Sequence, residues 1–229
     1  VGVTYADRAT HADGERRAVE TARLLAEVAG PQAVIVLGED PDHQSHRHEH
    51  AGRVKPENAL SAEGWKGFVE GVTRIARAVR DGTGLRSAFH PHTGVWIETP
   101  EETRQFFDRT DPELVGLCFD TGHYRFGGGD PVAALREHAG RLWHVHFKDH
   151  DPSVSARSRQ EGWDYDRSIE AGVFCELGRG DVDFPGALTV LKEIGYDGWI
   201  VVEQDVLPGT GSPKESAARS RQYLRSLGL

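Results

Sequence analysis

The sequence has no methionine, only two cysteines and no long hydrophobic run. Cys118 and Cys175 form no closely spaced pair, so neither a disulfide scaffold nor a thiolate zinc site is indicated. No apolar stretch approaches the roughly 18 to 20 residues that cross a bilayer, and the first residues lack the pattern of a signal peptide. We therefore expect a protein of the reducing cytoplasm that has no membrane partner.

Basic residues are scarce relative to acidic ones. The 229-residue chain has 27 Lys and Arg against 36 Asp and Glu, a formal net charge of -9. This balance repels phosphate backbones unless a local patch overrides it, so nucleic acid is not an expected partner. Apolar residues make up 38% of the chain, enough for one sizeable core. Since no linker or repeat divides the sequence, we expect a single domain over residues 1–229.

Short apolar runs alternate with stretches of helical periodicity. The runs at residues 2–5, 33–37, 86–90, 115–120, 142–147 and 199–203 predict six strands. This βαβα order is typical of a parallel sheet with helices outside it. No Gly-x-Gly-x-x-Gly motif follows an early strand, which argues against a dinucleotide-binding sheet. Ionisable residues instead follow four of the strands, as in the active site of a TIM barrel.

Histidine is in excess, and eleven of the twelve histidines lie between His43 and His150. Four polar clusters end the strands: His90-Pro91-His92, Asp120-Thr121-Gly122-His123, the run from His144 to Asp149, and Glu203-Gln204-Asp205. A single pair such as His144 and His146, which share one strand face, is as readily explained by hydrogen bonds within a barrel core. Four such clusters around one barrel mouth favour a divalent cation. Nitrogen and oxygen ligands without sulfur suit Mn²⁺ or Co²⁺ best, with Zn²⁺ or Mg²⁺ as alternatives.

Over about residues 33–205 these motifs resemble the xylose isomerase-like TIM-barrel superfamily. The motifs are F-H-P-H-T-G from Phe89, G-L-C-F-D-T-G-H up to His123, H-V-H-F-K-D from His144, C-E-L-G-R-G-D-V-D-F from Cys175, and G-W-I-V-V-E-Q-D up to Asp205. Within the superfamily they are most similar to the myo-inosose-2 dehydratases, which eliminate water from 2-keto-myo-inositol. The resemblance implies an α/β fold, a (β/α)₈ barrel. Because only six strands are found, it also implies that the first two βα units lie outside this chain.

The resemblance further implies a metal bound by a Glu, an Asp, a His and a Glu from successive strands. Carried onto the matching motifs, the last three ligands are Asp120, His146 and Glu203. The first position departs from the superfamily pattern, because the chain has His-Pro-His where a Glu is usual. We assign His92 to this position and keep Glu98 in reserve. The departure argues against epimerase chemistry, in which the missing carboxylate usually also acts as a base.

Dehydration beside a ketone needs a base for the α proton and an acid for the leaving hydroxyl. His123 is the predicted base or substrate orienter. Lys148, on the same strand face as His146, is predicted to polarise the carbonyl or to protonate the leaving hydroxyl, with its pKa lowered by the metal. The side chains predicted to contact a small polyol or keto-sugar substrate are His90, Glu176, Arg179 and Asp205. Glu176 and Arg179 are equally well explained as solvated loop charges.

Two other polar segments and three other functions remain open. The histidines His43, His46, His48 and His50 resemble a second metal site, but their polar loop favours a solvated surface, and residues 163–166 form either a lid or an ordinary surface loop. The first alternative function is a metal-dependent isomerase or epimerase of a free ketose. The others are an endonuclease IV-like DNA repair enzyme, which the net charge disfavours, and a non-catalytic sugar-binding subunit. A homo-oligomer is compatible with all of them.

Overall fold

The computed structural model describes residues 1–40, 45–205 and 211–229. Within these ranges the strands are β1 (Gly2–Val3), β2 (Val34–Glu39), β3 (Arg86–Phe89), β4 (Val115–Asp120), β5 (Leu142–Phe147), β6 (Asp149–His150), β7 (Phe174–Cys175) and β8 (Ile200–Val202). The α-helices are α1 (His11–Ala29), α2 (His46–Glu49), α3 (Ala62–Thr83), α4 (Pro100–Asp108), α5 (Thr121–Phe126), α6 (Pro131–Glu137), α7 (Pro152–Glu161), α8 (Tyr165–Glu170), α9 (Phe184–Glu193) and α10 (Pro213–Ser226).

The six predicted strands form one parallel sheet, as the alternation of apolar runs and helical stretches indicates. Their order is β1-β2-β3-β4-β5-β8, and every neighbouring pair is parallel. The prediction of an α/β architecture is therefore confirmed. The sequence did not indicate the short antiparallel pair of β6 with β7, which follows directly from β5. This pair brings the segment after α8 back to the end of β5.

Helix α3 shows how the outer layer is held against the sheet. Ser61 caps its first turn by accepting a hydrogen bond from the N–H of Gly64 at 3.0 Å, and Gly84, with φ of 75°, ends it. Its apolar side chains recur every three or four residues and are buried in the core: Trp65, Phe68, Val72, Ile75 and Val79. Burial of each such side chain stabilises the fold by about 2 kcal/mol.

Buried polar contacts fasten the loop that follows β3. The carboxylate of Glu98 accepts hydrogen bonds from the backbone N–H of Gly52 at 2.7 Å and of Gly94 at 2.8 Å. Four residues further on, the carboxylate of Glu102 accepts two hydrogen bonds from the Arg47 guanidinium, both at 2.8 Å. Since Arg47 and Glu102 are both buried, removing either partner would leave an unpaired charge in the core. The loop after β3 is thus tied to the segment that precedes α3.

Candidate metal centre and active site

Alternation along the strands decides which side chains face the interior of the sheet. Phe119 of β4 and Val145 of β5 belong to the core beneath the helices. Their neighbours Asp120 and His146 therefore face the opposite side, and the register pairs these two residues directly. His146 is paired in turn with Val201 of β8, so Glu203, two residues on, lies on the same face. Adjacent parallel strands in this register bring polar side chains to one end of the sheet.

Four of these side chains converge closely enough to share an ion. The ligand atoms of His90, Asp120, His146 and Glu203 all lie within 4.8 Å of one another. His146 Nδ1 is 3.3 Å from Glu203 Oε2 and 3.7 Å from Asp120 Oδ2, which is 3.8 Å from His90 Nε2. Three of these buried atoms, His90 Nε2, Asp120 Oδ2 and His146 Nδ1, have no hydrogen-bond partner within the described part of the chain. Buried atoms that lack hydrogen-bond partners and converge from three neighbouring strand ends fit a divalent cation.

The structure brings His90 rather than His92 into this set. His90 follows β3 directly and keeps the inward alternation of the strand, whereas Pro91 ends the strand before His92 is reached. His92 is instead grouped with His123 and Asp205. The reserve candidate Glu98 also lies outside the set, because both of its oxygens accept backbone hydrogen bonds in the loop after β3. The geometry therefore groups His90, and not His92, with the other three side chains, and metal binding by this set stays a prediction.

Both carboxylates of the set are held in the charged form. Burial opposes the charge of Glu203, but its contact with His146 and the charge of Lys148 lower its pKa to about 2. Burial likewise opposes the charge of Asp120, and the charges of Lys148 and His123 overcome it, so the pKa lies well below its usual range. Two ionised carboxylates and two imidazoles make a mixed oxygen and nitrogen ligand set.

Lys148 is the cation that these carboxylates surround. Its side chain is 1% exposed, and its Nζ lies 2.9 Å from Asp205 Oδ2, 3.2 Å from Glu203 Oε2 and 3.6 Å from Asp120 Oδ2. Burial alone would lower the pKa of Lys148, but the three carboxylates outweigh it and raise the pKa. The sequence-based expectation of a lowered pKa considered only a neighbouring metal and omitted these carboxylates.

His123 lies beside Lys148, and the acid and base roles of the two residues stay predictions. The Nζ of Lys148 donates to His123 Nε2 at 2.9 Å, and His123 Nδ1 lies 2.8 Å from the hydroxyl oxygen of Thr93. Burial and the charge of Lys148 lower the pKa of His123, which keeps the imidazole neutral. Since an ammonium can only donate, the lone pair of His123 is at Nε2 and its proton is at Nδ1.

The predicted substrate contacts divide into two groups. His90 and Asp205 lie in the two histidine sets, whereas Glu176 and Arg179 belong to neither. The carboxylate of Glu176 pairs with the guanidinium of Arg219 at 2.6 Å and with that of Arg179 at 3.4 Å, and the side chain of Arg179 is 68% exposed. Arg179 therefore matches the alternative of a surface charge, whereas the Glu176 side chain is 12% exposed, and substrate contact by either residue stays a prediction.

Two neighbours of the site were not singled out from the sequence. The hydroxyl of Tyr165, the first residue of α8, donates to Asp205 Oδ2 at 3.2 Å and lies 3.5 Å from His92 Nε2. The Sγ of Cys118 lies 3.4 Å from His146 Nε2. Position i-2 from Asp120 on the same strand could have indicated Cys118. Tyr165 is far away in the sequence, and only its place in the proposed lid segment 163–166 indicated it.

The histidine-rich loop reaches the site only at its edge. His48 is buried, its Nε2 lies 3.4 Å from Asp166 Oδ1, and its ring packs near that of Tyr165. Among residues 45–50, no three histidines converge as metal ligands, and His43 lies outside the described residues. A separate metal site in this loop thus has no geometric support within residues 45–50.

Within residues 1–40, 45–205 and 211–229, no helix combines the length and the apolar character that a bilayer crossing needs.

Comparisons with known proteins identify the family. A family model described as xylose isomerase-like TIM barrel matches residues 2–227. An inosose dehydratase from Geobacillus thermodenitrificans is 36% identical over 196 residues, which are 86% of this chain and 65% of that protein. Another from Geobacillus kaustophilus is 31% identical over 227 residues, 99% of this chain and 73% of that protein. The chain covers 55% of the length of an inosose dehydratase from Clostridium tetani. It therefore spans between about half and three quarters of the length of these relatives.

Solved structures show the same architecture. A 3-keto-D-glucoside 4-epimerase from E. coli has a TM-score of 0.69 at 18% identity, with 99% of this chain and 76% of that chain covered. The IOLI protein with a zinc atom has a TM-score of 0.62 at 16% identity, with 93% of this chain and 68% of that chain covered. These low identities support the fold alone. Because the family model spans nearly the whole sequence and relatives exceed 30% identity, the chain belongs to the xylose isomerase-like TIM barrel family.

Proposed function

We propose that the full-length protein is a metal-dependent hydro-lyase that eliminates water from a keto-inositol or a closely related keto sugar in the cytoplasm. The observation that carries the proposal is the convergence of His90, Asp120, His146 and Glu203, three of which present buried atoms without hydrogen-bond partners in the described residues. The names of the curated relatives, inosose dehydratases, supply the substrate class.

The four converging side chains are the proposed metal ligands. A divalent ion bound there would act as a Lewis acid toward the carbonyl group of the substrate. The oxygen and nitrogen ligands favour Mn²⁺ or Co²⁺. Zn²⁺ is the main alternative, because Cys118 adds a sulfur next to His146 and a zinc atom is named in the structure of the IOLI protein.

The other side chains of the site supply proton transfer and orientation. Dehydration breaks a C–H bond next to the carbonyl and a C–O bond one carbon further on, and water leaves. Lys148 carries protons at Nζ that can be donated to the departing hydroxyl. His123 has its lone pair at Nε2, facing the site, and its Nδ1–H is held by Thr93. After Lys148 turns toward the substrate, His123 Nε2 is free to accept the proton from carbon.

The proposal is tested by turnover of a keto-inositol by the full-length protein. We expect an enone-type product whose absorbance grows with time, no activity after chelation, and recovery on adding Mn²⁺ or Co²⁺. His123→Ala and Lys148→Ala should each lower kcat at least about a hundredfold without loss of bound metal. Lys192→Ala, on helix α9, is the control and should retain activity. Near-normal turnover by both active-site variants would remove the acid and base assignments.

An isomerase or epimerase of a free ketose is the second candidate. It is favoured by structural neighbours named as epimerases, such as the D-allulose 3-epimerase from Methylomonas, and it would use the same metal without loss of water. Chromatography of the products separates the two candidates, because an epimerase returns a sugar of unchanged mass. Absence of turnover on all keto-inositols and ketoses would leave the non-catalytic sugar-binding subunit.

A further inference from the structure

A second set of metal-ligand side chains lies beside the proposed metal centre. Ligand atoms of His92, His123 and Asp205 lie within 4.8 Å of one another. The three residues come from separate segments: the loop after β3, helix α5 and the segment after β8. Two imidazoles and one carboxylate form a ligand set that binds Zn²⁺ in many proteins.

The shortest hydrogen bonds of both imidazoles favour the tautomer that a cation requires. His92 Nδ1 lies 2.6 Å from the carbonyl oxygen of Thr93, which can only accept, so Nδ1 carries the proton. The lone pair of His92 is therefore at Nε2, the atom 3.5 Å from the Tyr165 hydroxyl that also contacts Asp205. His123 has its lone pair at Nε2 as well, since that atom faces an ammonium. In metal sites the second ring nitrogen of a ligand histidine is commonly held in this way.

A cation already lies against two of the three members of this set, His123 and Asp205. The ammonium of Lys148 is 2.9 Å from His123 Nε2 and 2.9 Å from Asp205 Oδ2, and it lies 5.0 Å from the ring centre of Phe174. It also contacts two members of the first set, Glu203 at 3.2 Å and Asp120 at 3.6 Å. Because the Lys148 side chain is 1% exposed, water does not screen its charge from a second ion placed here.

We propose that His92, His123 and Asp205 form a second cation site, and that Lys148 fills it as a built-in cation. The protein then holds one divalent metal, in the set that contains His90, and in the absence of substrate the ammonium of Lys148 stands where a second metal would otherwise bind. Removing the charge of Lys148 while keeping its volume should open the second site to a divalent ion.

The test is the zinc content of folded protein after dialysis against excess Zn²⁺ and removal of weakly bound ions, measured by mass spectrometry and by titration. We expect about one ion per chain in the wild type and about two in Lys148→Met. Lys148→Arg keeps the charge and should remain at about one. The double variant that combines Lys148→Met with Asp205→Asn loses a ligand of the second site and should return to about one.

Each arm of the test decides something different. Two ions in the wild type, one ion in folded Lys148→Met, or two ions in the double variant would each overturn the second site. If Lys148→Met does not fold, Lys148→Gln replaces it, with the same expectation. The inference rests on the metal centre of the proposed function, but the readouts are separable. Absence of zinc from the wild-type protein would contradict the first site. The second site is tested by the additional ion that Lys148→Met should bind and that the double variant with Asp205→Asn should not bind.

Discussion

The buried carboxyl of Glu98 should make the stability of the protein depend on pH. Its side chain is almost fully buried, and burial raises its pKa to about 7 from a usual value of 4.5, against the opposing effects of Arg47 and two backbone N–H groups. A pKa that is higher in the folded state than in the unfolded chain favours folding at low pH. This contribution is complete below the unfolded pKa and is lost as the pH rises through the folded one.

The magnitude follows from the two pKa values. Between about pH 5 and about pH 8 the folded protein should lose about 2.5 kcal/mol of unfolding free energy through this group. The glutamine in the Glu98→Gln variant cannot ionise, so the variant does not lose this part of the unfolding free energy. The unfolding free energy of the variant is lower by about 1 to 3 kcal/mol at every pH for a second reason. The amide nitrogen of glutamine cannot accept the hydrogen bond that Gly52 or Gly94 donates.

The measurement is urea denaturation of the wild type and of Glu98→Gln at both pH values. We expect the stability of the variant relative to the wild type to rise by about 2.5 kcal/mol between about pH 5 and about pH 8. Other titrating groups cancel in this difference. Glu101→Gln, three residues away and exposed to solvent, is the control, and its difference should stay within about 0.5 kcal/mol. If the unfolding free energies of the Glu98 variant and of the wild type change by the same amount between the two pH values, the carboxyl does not titrate in this range and the reasoning is wrong.

Three further substitutions test contacts around the site. Cys118→Ala removes the sulfur next to His146, and zinc titration should show affinity lowered about tenfold, whereas unchanged affinity would mean that the contact does not orient the imidazole. Asp149 accepts four backbone hydrogen bonds, three of them from residues 178–182, so Asp149→Asn should lower the unfolding free energy by about 2 to 4 kcal/mol in urea denaturation, and a loss below about 1 kcal/mol would contradict this. Tyr165→Phe removes the donor to Asp205 and should lower kcat/KM about tenfold at full metal content, while normal kinetics would exclude a role for the hydroxyl.

The fold was predictable because its signals are local. A buried parallel strand requires a short apolar run, and an outer helix requires an apolar stripe such as that of α3, so both can be recognised within one segment. The pair of β6 with β7 was missed because strands of two residues carry too little pattern to be recognised. Its main anchor is the carboxylate of Asp149, whose partners lie about thirty residues away in the sequence.

The candidate site was predictable only where strand alternation controls it. Asp120, His146 and Glu203 follow from positions on strands whose inner face can be deduced. The choice between His90 and His92 depends on which residue is the last to keep the strand geometry, and sequence patterns locate such ends only to within a few residues. The same ambiguity hides the second set, because the sequence assigns His92 to the first.

The charges of the two sets explain why the site should hold one divalent ion. Asp120, Glu203 and Asp205 contribute three negative charges, since their pKa values are all lowered, and the raised pKa of Lys148 contributes one positive charge. The imidazole of His123 stays neutral. The residual charge of about -2 in a largely buried region is costly, and one divalent cation offsets it. A second divalent ion would leave an excess of positive charge as long as the lysine is present, so the number of metals should change with the charge at position 148.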